Sequence, residues 1–212
     1  MRFLVPFAFL LAFVVAASQA NADTIALNNM PGNGTYSPVG LTTTTWAAVG
    51  MTTDASQESF SSLTAEFRTQ GSSGTAEGGI FSDNSNKPGT LLAAFNNVTV
   101  PSATFAPETL TTTAPFTMQA STKYWFVLHD SVNFAWEYDS ANAAPTAATG
   151  FTFNGYQTSA NSGSSWSNLA TFNPLVQIST SAVVPEPSTF ALLAAAGSLI
   201  LVTRATRRRN RG

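Results

Sequence analysis

The sequence predicts an all-β fold, a single antiparallel β-sandwich of jelly-roll-like character, flanked by an N-terminal signal peptide and a short hydrophobic C-terminal helix. Three observations lead there. Between residues 23 and 182 the chain is rich in Thr, Ser, Gly, Asn and Phe and poor in Lys, Glu and Leu. That balance opposes helices and favours short strands. Apolar residues alternate with period two along several segments, and polar turn signals interrupt the chain at short intervals.

Residues 1–22 carry one charge, Arg2, then the apolar run Phe3 to Ala17, then Ser18-Gln19-Ala20-Asn21-Ala22. A charged start, an apolar stretch of this length and small residues at Ala20 and Ala22 are the parts of a secretory signal, so signal peptidase is expected to cut after Ala22. The run is shorter than the ~20 residues that a spanning helix needs.

Residues 23–182 form the extracellular β domain. Leu63-Ala65-Phe67, Phe116-Met118 and Tyr124-Phe126-Leu128 alternate in the strand manner. Trp125 and Val127 make the other face of Lys123 to Leu128 apolar too, which predicts a central strand packed from both sides. Turn signals stand at Pro31 to Gly34, Gly71 to Gly74, Asn84 to Gly89, Ala141 to Gly150 and Asn161 to Ser165. Between them strands are expected near 24–29, 41–51, 59–69, 76–82, 90–98, 109–118, 122–129, 133–138, 151–157 and 171–180, with Ser179 to Val184 as a linker. Many short strands without an amphipathic helix indicate a sandwich.

Residues 183–212 are a tail of three parts. Val184-Pro185-Glu186-Pro187-Ser188-Thr189 precedes the apolar run Phe190 to Val202, and Arg204, Arg207, Arg208, Arg209 and Arg211 follow. The prolines cannot sit inside a helix, so a helix starts after them, with Ser188 or Thr189 as its cap. At 1.5 Å per residue the run reaches about 20 Å, short of the ~30 Å hydrocarbon core. The arginines remain on the cytoplasmic side and fix the topology, with all that precedes the run facing outward.

Composition narrows the function. The mature domain has three basic residues, Arg68, Lys87 and Lys123, against ten acids, a net of −7, whereas the whole chain sums to −2. A surface of that sign repels phosphate backbones, which makes nucleic acid a poor partner. There are no cysteines. The domain must therefore be held by burial rather than by disulfides, and a lipoprotein anchor is excluded.

No catalytic constellation stands out. His129 is the single histidine and no Gly-x-Ser-x-Gly elbow occurs. His129 and Asp130 are strand neighbours that point to opposite faces. One histidine without cysteine rules out the usual zinc sites, so neither a metal nor any other cofactor is expected. Asp83-Asn84-Ser85-Asn86 offers oxygens that suit Ca²⁺, but Lys87-Pro88-Gly89 departs from an EF-hand loop and an ordinary turn needs no ion. Ten scattered acids always permit some carboxylate pair, and nothing in their spacing selects a glycosidase pair. Trp136 and Trp166, in polar stretches near turns, are the candidates for stacking on sugar, with core filling as the competing role.

The order of motif, short apolar run and arginine cluster resembles the PEP-CTERM sorting signal of Gram-negative bacteria. That resemblance implies recognition of Pro185-Glu186-Pro187 by an exosortase-type membrane protease, an inner-membrane-tethered precursor, and a product at the cell surface or in an exopolysaccharide matrix. Phe81 to Leu91, the stretch Leu110 to Leu128 and Ser164-Ser165-Trp166 before Leu175 to Ile178 are similar to the choice-of-anchor domains, type R, which are extracellular β domains with no activity implied. The chain therefore reads as a noncatalytic exported surface or matrix protein. A carbohydrate-binding module for exopolysaccharide is the alternative, and a hydrolase is third.

Overall fold

The alternating segments form fifteen strands, and among the described residues there is no helix. The computed structural model describes residues 22–31, 36–69, 74–100, 104–131, 134–139, 143–168 and 173–183. Ala20, the sorting motif Pro185-Glu186-Pro187, the apolar run and the five tail arginines lie outside them.

In chain order the strands are β1 (Thr24–Asn28), β2 (Tyr36–Leu41), β3 (Trp46–Thr52), β4 (Glu58–Thr69), β5 (Gly74–Asp83), β6 (Pro88–Ala94), β7 (Val98–Val100) and β8 (Ala106–Leu110). They continue with β9 (Thr117–Met118), β10 (Lys123–Asp130), β11 (Phe134–Asp139), β12 (Thr146–Ala147), β13 (Thr152–Ser159), β14 (Ser167–Asn168) and β15 (Val176–Ala182). One sheet runs β12-β1-β15-β4-β11-β2, with β8 and β9 also paired to β4. The second runs β14-β13-β3-β10-β5-β6, with β7 also on β5. Every ladder is antiparallel.

The alternation explains how the sheets meet. Leu63, Ala65 and Phe67 of β4, Phe134 and Trp136 of β11, and Val176 and Ile178 of β15 all turn inward and are buried. They join Val49 and Met51 of β3, Ile80 of β5, and Tyr124, Phe126 and Leu128 of β10 in one core. Rings cross between the sheets, Phe60 to Phe126 at 5.6 Å and Trp136 to Tyr156 at 6.1 Å between centroids. The fold is thus β-sandwich-like, as the composition indicates.

Strand β10 sits between β3 and β5, as its doubly apolar pattern predicts. Its second face, Trp125 and Val127, packs with Ala48 and Trp166 into a separate small cluster on the outer side of the second sheet.

Several predicted segments differ in detail, among them 90–98, which is divided between β6 and β7, and 171–180, whose strand begins only at Val176. The strand expected at 41–51 is two strands, because Thr42 Oγ1 accepts the N–H groups of Thr44 and Thr45 and the Thr42 N–H bonds to the Thr45 carbonyl, closing a turn without Gly or Pro. The segment 109–118 holds only the end of β8 and the short β9. The chain from Ser179 is not a linker, since β15 continues to Ala182 against Glu58 to Ser62 of β4.

Candidate functional site

The outer side of the second sheet carries the most structured surface chemistry among the described residues. It is built from the β5–β6 hairpin on one side and the loop from Asn161 to Trp166 on the other.

The hairpin turn is tight. Ser85 and Asn86 take positive φ values of 55° and 65°, which suits a two-residue turn, and the Asn84 N–H bonds to the Lys87 carbonyl at 2.8 Å. Asp83 ties this turn to the central strand. One of its oxygens accepts from the Trp125 indole N–H at 2.8 Å and lies 3.6 Å from Lys123 Nζ. The other accepts the Asn86 N–H at 3.3 Å. Lys123 Nζ donates to Asn86 Oδ1 at 2.9 Å and stands 4.6 Å over the Trp125 ring. Of the side-chain oxygens that sequence offered to Ca²⁺, those of Asp83 and Asn86 are engaged within the protein. Among the described residues no group of three or more His, Cys, Asp or Glu gathers to hold a metal.

The opposite loop is held by side chains as well. Asn161 Oδ1 accepts from Ser159 Oγ and from the Ser165 N–H, while Asn161 Nδ2 donates to Ser165 Oγ. Gly163 adopts φ 79°, and a Cβ there would fall 2.8 Å from the Trp46 ring, so the loop approaches the sheet closely only because this residue is glycine. The result places Trp166 over Ala48, Trp125 and Val127. Between hairpin and loop lies an open groove of about 640 Å³, bordered by Asn84, Lys87 and Thr90 on one side and Ser164, Ser165 and Trp166 on the other. That volume falls within the range of small-molecule sites.

The two tryptophans singled out as sugar platforms separate. Trp136 is fully buried in the shared core, its indole N–H bonded to the Leu175 carbonyl at 2.8 Å and its ring packed edge-on against Phe67 and Tyr156. It offers no face to a ligand, which corrects its candidacy. The alternation of Phe134 with Trp136 is the signal that marks both as inward. Trp166 is 7 % exposed, with its ring on the outer cluster and its remaining edge on the groove. So little exposure leaves it no open stacking face.

His129 ends the outer face of β10. It stacks on Trp46 at 4.3 Å and its Nδ1 lies 3.8 Å from Glu77. Burial lowers its pKa, with the Glu77 charge opposing. Neither of these neighbours is a serine, threonine or cysteine whose proton the imidazole could take.

Sequence reasoning missed Glu137. It lies on the outer side of the first sheet, beside Glu66 and Arg68 by the register of β11 on β4, and is wholly buried. Among the described residues neither carboxyl oxygen has a donor to accept from. Burial pushes its pKa up to about 8, the Glu66 carboxyl adds to the rise by accepting a hydrogen bond from the protonated form and by its charge, and Arg68 opposes it. Its position two residues beyond Ala135, on the face opposite Trp136, carries no sign of burial in the sequence alone.

No family model, no curated protein and no solved structure matches this chain.

Proposed function

We propose that this chain is a noncatalytic exported protein of the cell surface or biofilm matrix, freed from a membrane-tethered precursor by an exosortase-type protease. The observation that carries this reading is the order of Pro185-Glu186-Pro187, the apolar run Phe190 to Val202, and the arginines at 204, 207, 208, 209 and 211. An arginine at a helix centre costs about 2.5 to 3.5 kcal/mol on insertion scales, so five of them strongly oppose translocation of the tail. Release of the domain then requires a cut. Two positions in the fold support the processing scheme. Strand β1 starts at Thr24, just after the expected cleavage at Ala22, and β15 closes at Ala182, before the motif begins. Cutting at either end removes none of the described strands. The type R choice-of-anchor likeness of residues 25–180 belongs to the same reading.

Mass spectrometry of protein recovered from cells and medium tests it, because the termini report both events. The expected product begins at Asp23 and lacks residues from about 188 onward, and Glu186→Ala leaves an uncut membrane-bound precursor. Recovery of a peptide spanning Arg207 to Arg211 from the extracellular protein overturns the reading.

The groove supports a second reading, a carbohydrate-binding module for exopolysaccharide. Its walls carry hydroxyl, amide and ammonium groups beside the edge of Trp166, the mixture that a polyhydroxylated ligand meets well. Saturable binding to matrix polysaccharide, lost in Trp166→Ala protein that is still folded, is the expected outcome. No binding to any matrix polysaccharide counts against it.

A further inference from the structure

Strand β13 is interrupted where Asn154 and Gly155 together face the single Gly50 of β3, between the pairs Phe153 with Met51 and Tyr156 with Val49. Such a bulge takes the extra residue out of the ladder. Gly155 has φ 87°, and among the described residues no atom beyond its chain neighbours lies within 4 Å of the place a Cβ would take. Asn154 is half-buried beside Gly50 on the outer side of the second sheet, and its amide oxygen accepts from the Thr52 hydroxyl at 2.7 Å. Asn161 differs, since serine follows it and its amide is bonded through both oxygen and nitrogen to Ser159 and Ser165.

We propose that Asn154 is a site of spontaneous covalent modification, at which the Gly155 backbone nitrogen closes onto the Asn154 side-chain amide. The nitrogen gives its proton to water or hydroxide and bonds to Cγ, and the side-chain nitrogen leaves as ammonia. Water then opens the cyclic imide to an aspartyl or an isoaspartyl residue, so that amide and water become acid and ammonia. Three features favour the step. Glycine places no Cβ beside the attacking nitrogen. The bulge lets this peptide turn without opening the rest of the strand. The Thr52 hydroxyl donates to the oxygen on which negative charge develops as the new bond forms. The product carries a new carboxylate, or an isoaspartyl link that lengthens the β13 backbone, next to the contact of Gly50 with Trp125. This inference is independent of both functional readings above.

Incubation of the full chain at mildly alkaline pH, followed by peptide mapping with mass spectrometry and isoaspartate detection, tests this. Asn154 should show the amide-to-acid mass change ahead of Asn84, Asn86 and Asn161, with isoaspartate among the products. The rate should rise with pH, because the attacking nitrogen must lose its proton. Asn33-Gly34 is the other Asn-Gly pair of the sequence and serves as a reference in the same digest. Thr52→Val should slow Asn154 relative to Asn33 by about two- to tenfold, as for one hydrogen bond to the developing charge, and Thr52→Ser should restore the rate. An Asn154 that stays intact in the folded protein while it reacts in the urea-unfolded chain overturns the site. A rate at Asn154 that is undiminished in Thr52→Val overturns the part given to Thr52.

Discussion

The two sheets each bury a large side chain on their outer sides, with opposite consequences. On the second sheet Trp125 is fully buried, its ring against the bare Cα of Gly50, where a Cβ would fall 2.8 Å from the indole, and its N–H on Asp83. Lys123 covers the ring, and Trp166, Val127 and Ala48 complete the cluster. On the first sheet Glu137 is equally buried, but among the described residues neither oxygen finds a donor and the carboxyl it faces is that of Glu66. One outer face is a small second core with its polar atom satisfied. The other holds a carboxyl whose charged form is penalised. Burial alone therefore does not say whether a residue stabilises; the partners of its polar atoms decide the sign.

The largest expected effect lies in the satisfied cluster. Trp125→Ala removes the ring that joins Gly50, Lys123 and Trp166 and strips Asp83 of its indole donor. A loss of about 3 to 5 kcal/mol follows, the range for large aromatic truncation in a packed interior. Urea unfolding monitored by far-UV circular dichroism reads it. With no cysteines, the transition should be cooperative and indifferent to reductant. A loss below about 1 kcal/mol would show that the outer cluster is a covering and not a second core.

The unsatisfied face predicts the reverse sign. The Glu137 carboxyl has a folded pKa raised from 4.5 to about 8. A carboxyl whose pKa is raised on folding binds its proton more tightly in the native state. Its contribution is therefore fully present below pH 4.5 and is lost as pH climbs through about 8. Glu137→Gln keeps the shape and removes the titration. It should stabilise the protein at pH 8 and flatten the slope between pH 5 and 8. The check is the urea midpoint of both proteins across that range. Parallel pH profiles would mean that Glu137 ionises freely in the fold.

Much of this architecture was legible in the sequence, and the parts that were not share a physical reason. The doubly apolar Lys123 to Leu128 segment announces a central strand, and Leu63-Ala65-Phe67 announces its inward face. Asn84 to Gly89 announces a hairpin turn. Local chemistry of that kind can be read from neighbours along the chain. The turn at Thr42 to Thr45 was hidden because threonine hydroxyls do the work of glycine in a run that reads as strand. The groove was hidden because Lys87 and Trp166 meet only through tertiary packing, and Glu137 because its burial depends on what lies over the outer side of the sheet. Trp136 and Trp166 looked alike in composition. Their difference is one of face, which the alternation from Phe134 to Trp136 encodes and the irregular loop before Trp166 does not.

The smallest effect sharpens the comparison from the charged side of the outer cluster. Lys123 and Asp83 are partly exposed, with side chains 17 % and 28 % accessible, and their 3.6 Å separation is long for an ion pair. Such a pair is worth little against screening and the ordering of two side chains, on the order of 0.2 to 1 kcal/mol. Lys123 also lays its ammonium over Trp125, so truncation would confuse packing with charge. Lys123→Met retains the aliphatic cover and removes only the charge. It should cost no more than about 1 kcal/mol, and the cost should shrink in high salt. Asp83→Asn should be similar or larger, because Asp83 also receives the Trp125 indole N–H and the Asn86 N–H. In the double-mutant cycle the coupling between Lys123 and Asp83 should stay within about 1 kcal/mol. A coupling of several kcal/mol would make this network, and not the rings beneath it, the source of stability on that face.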